Sequence, residues 1–324
     1  FLKKPDPGTS LRSGKIDYFL EIISEIAKEG KVDLLIFSID ISPIQQRNLE
    51  KIFNLKILDK TSLILEIFGE RASSKEGVIQ VELAHLSWHK SRLVRSWTHL
   101  ERQRGGYGFL GGPGESQIEL DKRLIDKRMK QLKLLIKKIK KTRGIQANNR
   151  KNTKVPVVSL LGYTNAGKSS LFNRLTKLDV SAKNKLFETL DTKVSYFYLP
   201  NIKKAYITDT VGFISDLPTL LIEAFKSTLE EINNADLLIH VRDFCAENKE
   251  GQKNDVMQVL KQLNIFPNTS QGPYMIEVLN KVDKAPKSLI ENISKKNNQV
   301  LVSAKTGEGV DMLIKKIEGY LSSI

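Results

Sequence analysis

The strongest constraint on the fold of this chain is one stretch, residues 162–169 (GYTNAGKS), which fits the pattern G-x-x-x-x-G-K-[ST]. Residues 155–161 before it form an apolar run typical of a buried strand, and residues 170–177 after it are typical of a helix. Glycines in such a loop let successive backbone N–H groups point at an anion, and the helix N-terminus adds its positive dipole end. The stretch therefore predicts a phosphate-binding loop, and a chance glycine-rich loop is the alternative.

The side chains of this loop indicate what it binds. Lys168 can reach the β- and γ-phosphates of a nucleoside triphosphate, and the hydroxyl of Ser169 can ligate Mg²⁺. We therefore expect the loop and the start of the helix to bind nucleotide, through Gly162, Tyr163, Thr164, Asn165, Ala166, Gly167, Lys168, Ser169 and Ser170.

A second motif, Asp209-Thr210-Val211-Gly212, ends a strand predicted at 204–208. Asp209 can hold the shell of a Mg²⁺ ion and the Gly212 N–H can meet the γ-phosphate, so we expect all four residues to bind nucleotide. The next residue is Phe213, where many small GTPases place a glutamine that orients the attacking water. Phenylalanine cannot do this, so either hydrolysis is slow alone or another group, from the chain or from a partner, positions the water.

Two later motifs predict the base. In residues 280–283 (NKVD), the Asp283 carboxylate can accept hydrogen bonds from guanine N1–H and N2–H₂, a pair that adenine does not offer. In residues 303–305 (SAK), a backbone N–H can meet guanine O6. The expected ligand is therefore GTP, bound by Asn280, Lys281, Val282, Asp283, Ser303, Ala304 and Lys305.

Residues 187–192 (FETLDT) lie between the phosphate loop and Asp209, where a switch segment is expected. One threonine here should close on Mg²⁺ and the γ-phosphate, and the spacing alone does not choose between Thr189 and Thr192. Nucleotide binding by this segment is expected from Phe187, Glu188, Thr189, Leu190 and Asp191.

The alternation of strands and helices over 155–324 predicts a doubly wound P-loop GTPase domain. An N-terminal α/β subdomain is expected over 1–60, and we expect it to be truncated because the chain begins with Phe1 rather than Met. Apolar stripes with heptad-like steps predict an antiparallel helical hairpin over 61–143, and the polar stretch 144–154 is typical of a linker. The predicted class is α/β with this hairpin between the two α/β parts.

Almost all of the net charge of +15 falls in one segment, because residues 90–154 hold 19 basic and 5 acidic residues. A concentrated basic segment favours binding to nucleic acid, and a solvated lysine-rich helix face is the alternative. The connection at 105–114 (GGYGFLGGPG) places Tyr107, Phe109 and Leu110 among glycines. We expect a hairpin tip that reaches RNA bases, rather than a plain turn whose apolar groups fold back.

Composition bears on membrane association and on the cellular compartment. No apolar run reaches the roughly 18 residues of a membrane span, so none is expected. The single cysteine, Cys245, forms no internal disulfide and suits a reducing compartment. We expect a cytoplasmic protein that acts as a monomer.

Together these stretches resemble HflX, a family of translational GTPases. The resemblance extends over about 13–324 and includes the nucleotide-binding blocks 162–176, 187–192 and 209–232. Upstream, three further stretches are similar to this family in particular rather than to GTPases in general: 42–50 (SPIQQRNLE), 70–86 (ERASSKEGVIQVELAHL) and 111–123 (GGPGESQIELDKR). Gly111 and Ser116 depart from the family's Arg-Gly-Pro-Gly-Glu-Thr loop, in which they replace the arginine and the threonine.

The resemblance implies a GTP-hydrolysing protein that binds the large ribosomal subunit and its RNA, splits ribosomes under stress and turns over GTP faster on ribosomes. It places the switch threonine at Thr189. The expected metal ligands are then Ser169, Thr189 and Asp209, and the expected catalytic residues are Lys168, Thr189 and Gly212. Two alternatives stay open: a GTPase in large-subunit assembly, and an ATP-driven RNA remodeller, which Asp283 disfavours.

Overall fold

The computed structural model of the protein describes residues 5–103, 117–152, 155–178, 186–202, 204–270, 272–286, 288, 290 and 298–323. The chain divides into two compact units, one of residues 1–70 and 81–134, and one of residues 71–80 and 135–324. Within the described ranges, every helix is too short or too polar to cross a membrane. The predicted hairpin tip at 105–114 lies outside the described residues.

The first unit begins with a small α/β arrangement. Its elements are α1 (Ser13–Glu29), β1 (Leu34–Ile36), α2 (Pro43–Phe53), β2 (Lys56–Leu58) and α3 (Lys60–Arg71). The two strands pair in parallel. A capping box starts α2, since the Ser42 hydroxyl accepts from the Gln45 N–H (3.2 Å) and the Gln45 side chain accepts from the Ser42 N–H (2.9 Å).

Two long helices follow, α4 (Lys75–Gln103) and α5 (Gln117–Asn152). Two ion pairs join these helices. Lys90 of α4 pairs with Asp126 of α5, and Glu82 of α4 pairs with Arg128 of α5 through two bonds of 2.7 and 2.9 Å. The later residue of α4 pairs with the earlier residue of α5, so the helices run antiparallel. On α5, Leu132 of the predicted apolar stripe is only 1% exposed. The predicted helical hairpin is thus present over the described residues.

The predicted linker is wrong over 144–152, where α5 continues as a helix. A polar composition shows only that a segment faces solvent, and it does not separate an exposed helix from a loop. A helix already formed also propagates at low cost, since only its first turn is unfavourable. The unit boundary differs as well, because residues 71–80 and 135–143 of the predicted hairpin belong to the second unit.

The second unit contains a six-stranded sheet. Its strands are β3 (Val157–Leu161), β4 (Lys193–Phe197), β5 (Ala205–Asp209), β6 (Leu237–Asp243), β7 (Tyr274–Asn280) and β8 (Gln299–Val302). Its helices are α6 (Lys168–Thr176), α7 (Thr219–Ala224), α8 (Lys226–Leu229), α9 (Lys249–Gln262) and α10 (Val310–Leu321).

The strand order is β4-β5-β3-β6-β7-β8, with β4 antiparallel to β5 and every other pair parallel. The central strands are buried, as their near-continuous apolar sequences predict. The carboxyl ends of β3, β5, β7 and β8 therefore lie along one edge of the sheet, and the loops that follow them meet there. The predicted P-loop GTPase fold is confirmed.

Candidate nucleotide-binding site

A cavity of about 350 Å³ lies at this edge of the sheet. Its volume is within the range of small-molecule sites, roughly 300–1,000 Å³. The predicted residues that line it are Thr164, Asn165, Gly167, Lys168, Ser169, Ser170, Phe187, Glu188, Thr189, Thr210, Gly212, Asn280, Lys281, Asp283, Ala304 and Lys305. Lys284 also lines the cavity, and its position beside Asp283 was the only signal that could have identified it.

The other predicted residues do not line the cavity. They are Gly162, Tyr163, Ala166, Leu190, Asp191, Asp209, Val211, Val282 and Ser303. Most of them support the lining from behind; Asp209 and Ser303, for example, are fully buried. Asp191 differs, because its carboxylate is bound by Ser73 and Ser74. For this residue the structure indicates a supporting position rather than a direct nucleotide contact.

The two motif glycines of the phosphate loop have no room for a side chain. Gly162 has φ +147°, and a Cβ there would lie 2.1 Å from the carbonyl oxygen of Val241. Gly167 has φ +93°, and its Cβ would lie 2.2 Å from Nδ2 of Asn280. Positive φ favours glycine, and both contacts are too short for any larger residue. These positions let the loop curl against the rest of the site.

Asn280 joins three loops of the site. Its Nδ2 donates to the Ala166 carbonyl (2.9 Å), and its Oδ1 accepts from the Ala304 N–H (2.9 Å). The side chain is 2% exposed, so both bonds are buried. Next to it, Asp283 Oδ1 accepts from the Ser303 hydroxyl (2.7 Å). Asn280 thereby fixes the relative positions of the phosphate loop and the two loops predicted to bind the base.

The Lys168 ammonium lies inside the phosphate loop, where it donates to the carbonyls of Gly162 (3.2 Å) and Tyr163 (3.0 Å). Burial lowers the pKa of Lys168 to about 8, although the nearby charge of Asp209 acts in the opposite direction. Removal of a cation from water is costly, and a polyphosphate anion beside it would offset that cost.

This depressed pKa predicts a pH dependence of nucleotide affinity. Bound phosphates favour the charged ammonium, so they should raise the pKa of Lys168 above its free value of about 8. Well below pH 8 Lys168 is already protonated, so nucleotide binding takes up almost no proton. Above pH 8 the free lysine is neutral, so binding must take up a proton and the affinity for nucleotide falls. We expect affinity for a non-hydrolysable GTP analogue to fall about tenfold between pH 7 and pH 9. Calorimetry in two buffers of different ionisation enthalpy measures the proton uptake. An affinity that does not change between pH 7 and pH 9 would contradict the assignment of Lys168 to the phosphates.

Three hydroxyl and carboxylate groups converge beside Lys168. Ser169 Oγ and Thr189 Oγ1 both donate to Asp209 Oδ2, at 2.7 and 2.8 Å, and lie 2.9 Å from each other. The other carboxylate oxygen of Asp209 is buried and has no hydrogen-bond partner among the described residues. Hard oxygen donors and an unsatisfied buried carboxylate oxygen fit Mg²⁺. The structure brings Thr189, and not Thr192, to this cluster.

Phe213 has a structural place in the site. Its side chain is 1% exposed. Its N–H donates to the Gly162 carbonyl (3.1 Å), and its carbonyl accepts from the Thr164 N–H (2.7 Å). The residue thus pins the loop after β5 to the phosphate loop, while its ring is packed away from solvent. It does not line the cavity.

Comparisons with known proteins agree with this geometry. Profiles described as GTP-binding GTPase N-terminal, GTP-binding GTPase Middle Region and 50S ribosome-binding GTPase match residues 1–69, 71–150 and 157–281. A GTPase HflX of Magnetococcus marinus is 44% identical over 98% of this chain and 71% of its own length. A GTPase HflX of Escherichia coli K12 is 40% identical over 99% of this chain and 74% of its own length.

Among solved structures, a GTP-binding protein of Sulfolobus solfataricus in complex with GDP aligns over 99% of this chain and 88% of its own. Its TM-score is 0.50 and its sequence identity 24%, so it supports the fold alone. The sequence relatives carry the identification, since each is well above 30% identical and is matched over more than two thirds of its length. The protein is a GTP-binding and GTP-hydrolysing enzyme, and the chain belongs to the HflX family of GTPases.

Proposed function

We propose that this protein binds the large ribosomal subunit in its GTP-bound state and splits ribosomes, and that GTP hydrolysis then releases it. The observation that supports the proposal best is the closed position of Thr189 against Ser169 and Asp209, beside the phosphate loop. A switch threonine in that place links the γ-phosphate to the rest of the domain. We also propose that it acts as a monomer in the cytoplasm, where ribosomes are.

In the nucleotide site, each group has a proposed task. Asp283 accepts from the guanine base, and Lys168 binds the phosphates. Ser169, Thr189 and Asp209 would hold Mg²⁺, which when bound neutralises charge on the phosphates. Gly212 lines the cavity at the end of β5, and its N–H would contact the γ-phosphate. A Cβ at Gly212 would lie 2.8 Å from Thr164 Cγ2, so its backbone approaches the loop closely.

The proposed ribosome-binding surface is the basic face of α5. Lys137, Lys138, Lys140 and Lys141 are all exposed and lie within about one and a half turns of the helix. Clustered cations of this kind neutralise phosphates of RNA and release counterions. The description of the matching profile over 157–281 as a ribosome-binding GTPase supports the same class of partner.

The separation of splitting from hydrolysis is supported by Phe213. Its buried ring replaces the side chain that would orient the attacking water, so the isolated protein should hold GTP for long. We propose that the ribosome supplies or positions the missing group. Binding in the GTP state would then precede turnover, and turnover would end the interaction.

Sedimentation of intact ribosomes tests this function. With protein and a non-hydrolysable GTP analogue, we expect the ribosome peak to convert to separate subunits, with the protein on the large one. With GDP the peak should stay intact. Binding to free large subunits without splitting would instead favour the assembly function. If a single round of splitting requires GTP hydrolysis, then splitting does not precede hydrolysis and the proposal is wrong.

A further inference from the structure

The carboxylate of Asp191 is bound by the two residues that precede α4. Its Oδ2 accepts from the Ser73 N–H (3.0 Å), the Ser73 hydroxyl (3.0 Å) and the Ser74 N–H (2.7 Å), and its Oδ1 accepts from the Ser74 hydroxyl. Burial alone would raise the pKa of Asp191, but the hydrogen bonds from Ser74 and Ser73 outweigh it and leave that pKa below its ordinary value. The carboxylate also faces the positive end of the α4 dipole.

The Asp191 carboxylate also fits closely against the first turn of α4. The Ser74 hydroxyl also accepts from the Gly77 N–H (2.9 Å), so it caps α4 while it donates to Asp191. Gly77 is buried, and a Cβ there would lie 2.2 Å from Asp191 Oδ1. The carboxylate therefore occupies the space that any larger residue would fill. We refer to Ser73, Ser74, Gly77 and Asp191 as the Asp191 clamp.

A second contact fixes the same part of α4. Gln80 Nε2 donates to Thr228 Oγ1 (3.0 Å), and the Thr228 hydroxyl can donate to Gln80 Oε1 (3.1 Å). Both side chains are buried, at 1% and 3% exposure. Residues 71–80 belong to the compact unit that holds the nucleotide cavity. The first turns of α4 therefore form a fixed support to which Asp191 is attached.

The support is connected to Thr189 by a very short segment. One residue, Leu190, separates Thr189 from Asp191, and it is 2% exposed. Two residues of chain span about 7 Å at most, so a fixed Asp191 confines the position of the Thr189 hydroxyl. That hydroxyl lies 2.8 Å from Asp209 Oδ2 and 2.9 Å from Ser169 Oγ.

We propose that the Asp191 clamp positions Thr189 for GTP hydrolysis, and that its closure depends on the γ-phosphate. Asp191 is then a positioning residue, which acts through Thr189 without touching the nucleotide. The coupling is reciprocal. GTP draws Thr189 towards the phosphates and brings Asp191 onto the start of α4, whereas GDP leaves both free to separate. This inference rests on the proposed role of Thr189 in the GTP-bound state.

Steady-state hydrolysis of GTP by the full chain tests the positioning. We expect Asp191→Asn and Ser74→Ala each to lower kcat about tenfold, the size of a lost hydrogen bond to a charged group, with KM changed much less. Ser74→Thr keeps the hydroxyl, so its kcat should stay close to that of the unaltered protein. The double variant should be no slower than Asp191→Asn alone, because both changes open the same contact. GDP affinity should stay within about twofold of the original.

Asp311→Asn is the matched control, since it makes the same charge change at an exposed carboxylate in the first turn of α10. It should leave kcat unaltered. Thr189→Ala distinguishes the role of Thr189 from the role of the clamp. If Thr189→Ala keeps its kcat, the proposed role of Thr189 is wrong. If it loses kcat while Asp191→Asn and Ser74→Ala do not, only the clamp is wrong. If the clamp variants weaken GDP and GTP binding equally, the clamp only stabilises the structure and does not position Thr189 for hydrolysis.

Hydrogen exchange tests the dependence on the γ-phosphate. The Ser73 and Ser74 amides donate to Asp191, so they are protected only while the clamp is closed. Exchange in residues 71–80 should be slower with a non-hydrolysable GTP analogue than with GDP, and Asp191→Asn should remove that difference. Equal exchange with the two nucleotides in the unaltered protein would overturn the proposed link.

Discussion

Replacement of Asp283 by asparagine is expected to weaken GTP binding by about 2–4 kcal/mol and to improve binding of xanthosine triphosphate. Guanine donates two hydrogen bonds to the carboxylate, from N1–H and from N2–H₂. The amide of Asp283→Asn has only one acceptor oxygen, so one of these guanine donors would face the amide NH₂, which is also a donor. Xanthine carries an oxygen at C2, which can accept from the new amide. The Ser303 hydroxyl, 2.7 Å from Asp283 Oδ1, should still orient the side chain because an amide oxygen also accepts.

Titration of both nucleotides measures this change, with Asp311→Asn as the charge-matched control. Unchanged GTP affinity in Asp283→Asn would contradict the base assignment. ATP should compete poorly with GTP for the unaltered protein, since adenine leaves the carboxylate unmatched. Equal competition by ATP would favour the RNA-remodelling alternative.

Reversal of charge on α5 is expected to have a comparably large effect on ribosome binding. Substitution of Lys137, Lys138, Lys140 and Lys141 by glutamate should weaken binding about a hundredfold at moderate salt. It should also make the salt dependence less steep by about three in the log–log slope, because fewer counterions are released. GTP affinity should not change, since none of these lysines lines the nucleotide cavity.

A second quadruple variant controls for total charge. Lys28, Lys51, Lys261 and Lys315 are exposed and dispersed over α1, α2, α9 and α10, and their substitution by glutamate changes the net charge equally. If the two variants lose ribosome affinity to the same extent, net charge rather than the α5 face determines binding. If the α5 variant still binds at moderate salt, the basic helix is only a solvated surface.

The sequence alone determined the fold and the nature of the ligand, because both follow from short-range patterns. The motifs at 162–169, 209–212, 280–283 and 303–305 are each a few residues long and lie at the end of an apolar strand. Parallel strand ends therefore bring Lys168, Asp209 and Asn280 to one edge. The same local logic predicted the helical hairpin from its apolar stripes. It failed at 144–152, where a polar sequence continues a helix already under way.

Only the tertiary structure decided which side chains meet. Spacing left Thr189 and Thr192 equivalent, and packing against Ser169 and Asp209 separates them. The sequence predicted only that Phe213 cannot orient the attacking water. In the structure its ring is buried and its backbone is hydrogen-bonded to the phosphate loop. Asp191 finds its partners 117 and 118 residues earlier in the chain. Contacts over such separations form only in the assembled fold. They produce no repeating pattern in the sequence, because the residues around Asp191 do not depend on which residues surround Ser73 and Ser74.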